Sequence, residues 1–280
     1  MKETAFLQAW VEGIGLLGPG LPDWPRACAV LTGGAPYQAA PTVLPVPEQL
    51  PPTERRRASR IVKVTLAAGL QACRHAGRDP AGLANVFASS GGDTHNGHHI
   101  CELLASDDRQ ISPTRFHNSV HNVASGYWSI ATGATPAAQV LGGYDASFSV
   151  GLLEAMTQVA TGNEPVLLVA GDSEYPEPLH AKRPIADTGA LALVLAPART
   201  PASLALLRLP CHGALAEGTP SALPAHWPEP LRQLAQTMPP MRGLALLAAL
   251  AAVGQGQAQV QAVGLEYFAP QVLQVHVLPA

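Results

Sequence analysis

Charged side chains are scarce in this sequence. Asp, Glu, Lys and Arg make up only 13% of its 280 residues, against roughly 25% in an ordinary globular domain. The 17 basic and 20 acidic residues leave a net charge of −3, without the basic footprint by which a chain holds nucleic acid. A surface this poor in charge points to covering by a large interface or by a membrane. No apolar run approaches the roughly 18 residues of a spanning helix, and the longest, Leu244–Val253, reads as a buried helix. Met1–Trp10 lacks the basic region, long apolar stretch and small-residue cleavage site of a secretory signal. Cys28, Cys73, Cys101 and Cys211 stand apart with no CxxC pair, which fits reduced thiols better than a disulfide framework. A cytoplasmic protein without a membrane span or a nucleic-acid partner is expected.

Hydrophobic residues make up 47% of the chain, ample for a large buried core. Short apolar runs alternate with helical stretches through the first two hundred residues. Ala27–Leu31, Leu83–Ala88, Val166–Ala170 and Ala190–Ala196 read as strands, and Val166–Ala170 is apolar on both faces, as a covered strand should be. Thr53–His75 reads as one long helix and Ala146–Thr161 as another, closed by Gly162. This alternation predicts an α/β fold with covered sheets. After Ala198 the texture changes. Thr200–Trp227 is rich in Pro, Gly and Ala, then come helices over Pro230–Thr237 and Met241–Val253 and strands over Val260–Glu266 and Val272–Leu278. The expected division is 1–198 and 199–280, with no internal repeat.

One block carries a more specific pattern. It runs Phe116-His-Asn-Ser-Val-His-Asn122, then Gly126 and Gly133, then Tyr144-Asp-Ala-Ser-Phe-Ser149, and closes with Gly162 and Val169-Ala170-Gly171. From Asn122 to Gly162 it resembles, without a gap, the β-ketoacyl synthases of the thiolase-like superfamily. The resemblance implies a thiolase-like layered α/β/α fold, well matched in the amino-terminal half and shortened in the carboxy-terminal half, with 199–280 completing it. In this register Asp145 stands where those enzymes carry their nucleophilic Cys. A cysteine at a helix start is favoured as the thiolate and accepts an acyl group from a thioester. A carboxylate there is a good helix N-cap, worth about 1 kcal/mol, and a poor acyl acceptor. The two histidine motifs of the decarboxylating machinery are absent as well: His212, His226 and His276 lie in other contexts.

The segments Val86-Phe-Ala-Ser-Ser-Gly-Gly-Asp93, Ser112–Asn122 and Tyr127–Gly133 are similar to the chain length factors of aryl-polyene and xanthomonadin type II polyketide synthases. That similarity implies no catalytic residue and no cofactor or metal. It implies a heterodimer with a catalytic ketosynthase, and contact with an acyl carrier protein through that partner. Phe116, His117, Val120, His121, Asn122, Tyr127, Trp128 and Phe148 become candidates for the shared acyl pocket and interface.

Competing readings attach to the same residues. Ser147 and Ser149 offer hydroxyls, but no Gly-x-Ser-x-Gly elbow surrounds them. An active β-ketoacyl synthase or acyltransferase with an unrecognised nucleophile is nevertheless the main alternative. His95, His98, His99, Cys101, His117 and His121 invite a metal-dependent hydrolase, yet neither HExxH nor paired CxxC accompanies them. His117 and His121, spaced i, i+4, are expected on one helix face, partly buried and hydrogen-bonded. Ser89-Ser-Gly-Gly-Asp93 is expected to be a turn, since it has no Walker lysine for a phosphate. Arg55-Arg-Arg57 is either a solvated helix start or a contact for an acidic carrier protein.

Overall fold

The computed structural model describes residues 6–210 and 214–280. Part of the segment read for a targeting signal, together with Cys211 and His212, lies outside them.

The chain opens with β1 (Phe6–Leu17), α1 (Trp24–Leu31), α2 (Pro52–Arg57), α3 (Arg60–Ala76) and β2 (Ala84–Ala88). Next come α4 (Thr94–Ala105), α5 (Pro113–Asn118), α6 (Val123–Thr132), β3 (Ala138–Leu141), α7 (Ser147–Gly162) and β4 (Val166–Asp172). The remainder is α8 (Leu179–Lys182), β5 (Gly189–Ala196), β6 (Ala205–Pro210), β7 (Leu215–Glu217), α9 (Glu229–Thr237), α10 (Leu244–Gly254), β8 (Gln261–Glu266) and β9 (Gln271–Pro279). The strands of the described residues form one mixed sheet in the order β3-β2-β4-β5-β1-β6-β9-β7, with β8 also on β9. β2 is parallel to β3 and β4, whereas the pairs from β4–β5 onward are antiparallel. The sheet therefore runs unbroken through both stretches of contrasting sequence texture.

Alternation along the central strands shows why this is a layered α/β/α fold. On β4, Val166, Leu168 and Ala170 pack into one core with α7, α1 and α10, while Leu167 and Val169 pack into the other with α3 and α6. β5 does the same, with Leu191, Leu193 and Leu195 against Ala190, Ala192 and Val194. Apolar side chains on both faces require helices on both faces. α10 is largely buried, and among the described residues no single helix is long and apolar enough to cross a membrane.

Three expectations need correction. Ala27–Leu31 is not a strand but the end of α1, nucleated by Asp23, whose carboxylate accepts from the Arg26 amide at 2.8 Å. The long helix over Thr53–His75 is interrupted at Ala58, which turns extended and buries its methyl. The carboxy-terminal helix starts at Leu244, preceded by a 3₁₀ turn over Pro239–Gly243.

α3 lies directly on β1. A Cβ on Gly15 would stand 2.0 Å from the Ala68 carbonyl oxygen, and one on Gly13 would stand 2.2 Å from that of Ala72. Backbone against backbone cannot yield as a flexible side chain can. Gly15→Ala should lower the urea midpoint by the equivalent of about 3 kcal/mol, with an unchanged m-value. A loss below about 1 kcal/mol would mean that α3 can lift from the sheet.

Candidate functional site

β3 ends at Leu141, and Gly142-Gly143 carries the chain into a 3₁₀ turn over Tyr144–Ala146 that feeds α7. Asp145 thus sits at the mouth of the buried helix. It does not cap that helix. The Ser147 hydroxyl closes the turn instead, donating to the Tyr144 carbonyl at 2.7 Å and accepting from the Gly143 amide at 3.1 Å. The Asp145 carboxylate is left free to face two guanidinium groups. Arg183, just after α8, donates to Oδ1, and Arg242, just before α10, approaches Oδ2 at 3.3 Å. Arg242 also pairs with Glu266 at the end of β8. The two arginine side chains keep only 13% and 20% of their exposure. Two acids and two bases at one helix mouth are balanced in charge, and removing one partner would leave its mates poorly solvated.

Tyr144 shares this cluster. Its backbone has φ +54°, a left-handed conformation that costs a bulky residue roughly 1–2 kcal/mol. The Arg183 guanidinium stacks on its ring, 3.6 Å from the centroid, and lies 5.6 Å from that of Tyr175. Nothing local in the sequence marks Arg183, Arg242 or Glu266 as partners of Asp145. They are single charges brought in by the loop after β4, by the turn before α10 and by β8.

The expected site residues divide into two groups. Phe116 and Val120 are exposed at 62% and 45%. His117 and Asn122 are exposed too, Asn122 at the start of α6 without a side-chain cap bond. His121 bonds through Nε2 to the Ser89 carbonyl at 3.2 Å and borders Gly92 and Gly142. His117 and His121 do not share a helix, because α5 stops at Asn118. The Asn118 side chain is pulled inward, donating to the Arg57 carbonyl and accepting from Tyr127. His117 is accordingly solvated rather than half-buried. Tyr127, Trp128 and Phe148 form the second group, inside the hydrophobic cores.

The remaining candidates are tied up elsewhere. Ser149 is buried in α7. His95 faces Glu174 and His98 faces Glu102, and among the described residues no three His, Cys, Asp or Glu side chains are grouped to hold a metal ion. Cys101 is exposed on α4, while burial drives the Cys73 thiol up to about 12. Ser89–Asp93 is a turn whose Asp93 caps α4 through the Asn96 amide. Arg55 binds the carbonyls of Glu48 and Leu50, and Arg57 pairs with Glu54.

Asp172, at the end of β4, is a titratable group that no local sequence signal singles out. Its Oδ1 accepts from the Ser89 hydroxyl, the Ser90 amide and the Ser90 hydroxyl, each at 2.9 Å, while buried Oδ2 has no partner. Burial pushes its carboxyl pKa up to about 6, although those hydrogen bonds and Arg183 pull the other way. The folded protein therefore favours the proton. That contribution is full below the unfolded value near 3.8 and is lost as pH rises through about 6. Asp172→Asn removes the titration. Relative to the wild type, it should gain about 2 kcal/mol in unfolding free energy between pH 4 and pH 7, and a pH-independent difference would contradict this assignment.

Three kinds of comparison place the chain. Among solved structures it is similar to the ketosynthase ApeO in complex with its chain length factor ApeC from Xenorhabdus doucetiae. That match has a TM-score of 0.67 at 23% identity and covers 99% of this chain and 100% of the other. The ishigamide ketosynthase/chain length factor gives a TM-score of 0.68 at 16% identity, covering 99% and 100%. A type II ketosynthase complex with its acyl-carrier protein, AntDE:AntF, gives 0.69 at 12%, covering 98% and 99%. These likenesses concern the fold. No curated protein matches the sequence. Residues 31–245 match the family described as β-ketoacyl synthase, N-terminal domain, and with the layered fold and the helix mouth in place, the chain belongs to that family.

Proposed function

We propose that this chain is a non-catalytic chain length factor. In this reading it pairs with a catalytic ketosynthase in the cytoplasm, shapes the acyl pocket of that partner, and meets the acyl carrier protein through it. The pathway is of the type II polyketide class, making an aryl-polyene or a related fatty-acid-like product. Residues 1–198 supply the ketosynthase-like half and 199–280 the shortened remainder.

One observation carries the reading: the residue at the α7 mouth is a carboxylate held by two arginines. Acyl transfer from a thioester needs a nucleophile that is strong and free to attack. A paired carboxylate is neither. The solved relatives whose fold this chain shares from end to end are themselves described as ketosynthases with chain length factors.

The surface beside the site suits a partner. β3 is an edge strand of the sheet, α6, which carries Ile130, packs against it and Tyr144 follows it, and Ile130 and Tyr144 are exposed at 47% and 61%, as are Phe116 and Val120 at 62% and 45%. Exposed apolar side chains gathered on one face mark interaction surfaces. Bulky groups there would limit product length by steric exclusion from the partner's pocket.

Co-expression with a full-length catalytic ketosynthase of the same organism should give a stable complex by size-exclusion chromatography. Val120→Asp should abolish co-elution while leaving the thermal midpoint of the isolated chain within about 2 °C, as for a surface substitution. A wild-type chain that never associates would end this reading.

A further inference from the structure

Tyr144 combines features that rarely occur together. It is a large aromatic residue, 61% exposed, held in a left-handed backbone conformation. The one other non-glycine residue with positive φ among the described residues is Asn163, which ends α7, an ordinary place for asparagine. A bulky residue remains in such a conformation only where its surroundings hold it. Here they do so from three sides. Asp145 fixes Arg183, the Arg183 guanidinium lies flat on the tyrosine ring at 3.6 Å, and Ser147 donates to the Tyr144 carbonyl. Arg242 and Glu266 complete the support from the carboxy-terminal part of the chain.

We propose that Tyr144 is the affinity anchor of the interface with the catalytic ketosynthase, and that the Asp145–Arg183–Arg242 ion pairs serve to present it. This rests on the pairing inferred above and assigns it a central residue. Asp145 and Arg183 are positioning residues in this scheme: they touch the ring and its support rather than the partner.

The chemistry favours a protein surface as occupant. Rigid aromatic side chains are enriched among residues that dominate binding, because they contribute much contact area at small entropic cost. Charges are depleted at the centre of such interfaces, and here the two acids balance the two arginines beneath the ring. The neighbours of Tyr144 continue the surface. β3 leads directly into its turn, and the His121 ring lies where a Cβ on Gly142, two residues before it, would meet it at 3.5 Å, bringing the Val120 loop alongside.

The test measures affinity between the purified chain and the full-length catalytic ketosynthase by surface plasmon resonance, with the thermal midpoint of each variant alongside. Tyr144→Ala should weaken binding by about 30-fold or more, the loss expected of a dominant aromatic, without lowering the midpoint. Tyr144→Phe keeps the ring and its stacking and should stay within about 3-fold of wild type. Arg183→Met removes support but no partner contact, and should cost about 5-fold, chiefly in the association rate. Phe268→Ala, which truncates an exposed aromatic in the β8–β9 connection, should change nothing. Wild-type binding that Tyr144→Ala leaves intact overturns this proposal alone. Absence of wild-type binding overturns the pairing beneath it, and the anchor with it.

Discussion

The Asp145 carboxylate, facing Arg183 and Arg242, is the contact on which the rest of this molecule's reading depends. It joins the turn that feeds α7 to the loop after β4 and to the turn before α10, and through Arg242 to β8. Buried ion pairs add little net stability when weighed against apolar packing. Their value is in specifying one arrangement, since separating the partners strands charges that water reaches poorly. The α7 mouth is thereby a joint between segments distant in the chain.

That joint connects fold and proposed role. The layered architecture lays α7 across β4, β2 and β1, on the sheet face that α10 also covers, and its amino-terminal end emerges beside the edge strand β3. Whatever stands at that end lies close both to the interior and to the exposed Tyr144 ring. A free nucleophile there would make an enzyme. In the proposed role, the neutralised cluster and the tyrosine it holds serve as a surface instead.

How much of this was legible in the sequence depends on whether the signal was local. Val166–Ala170 and Ala190–Ala196 read correctly as covered strands because both of their faces are apolar, and the Ala146–Thr161 helix followed from its apolar pattern and terminal Gly162. Ala27–Leu31 was misread because a short apolar run fits either a strand or a buried helix turn. The deciding signal was upstream, in Asp23 as cap and Pro25 in the first turn. β1 went unnoticed because Glu12, Gly13 and Gly15 break its apolar pattern: the register shifts between Val11 and Gly13, and the glycines admit α3. Asp145 was placed at the α7 mouth by the glycine and asparagine pattern around it, but its role as a cap was wrong. No side chain caps α7, Ser147 closes the turn before it, and the arginines that claim the carboxylate carry no mark in their own neighbourhoods. Asp172 was invisible for the same reason, since its environment is assembled by the turn after β2.

The most direct measurement is intact-mass spectrometry of the purified two-subunit complex after incubation with an acyl-loaded carrier protein. If the ion-paired carboxylate has replaced a working nucleophile, the acyl mass will appear on the ketosynthase subunit and never on this chain. An acyl adduct on this chain, mapped to Ser147, Ser149, Cys101 or Asp145 itself, would contradict the account and make the protein an enzyme in its own right.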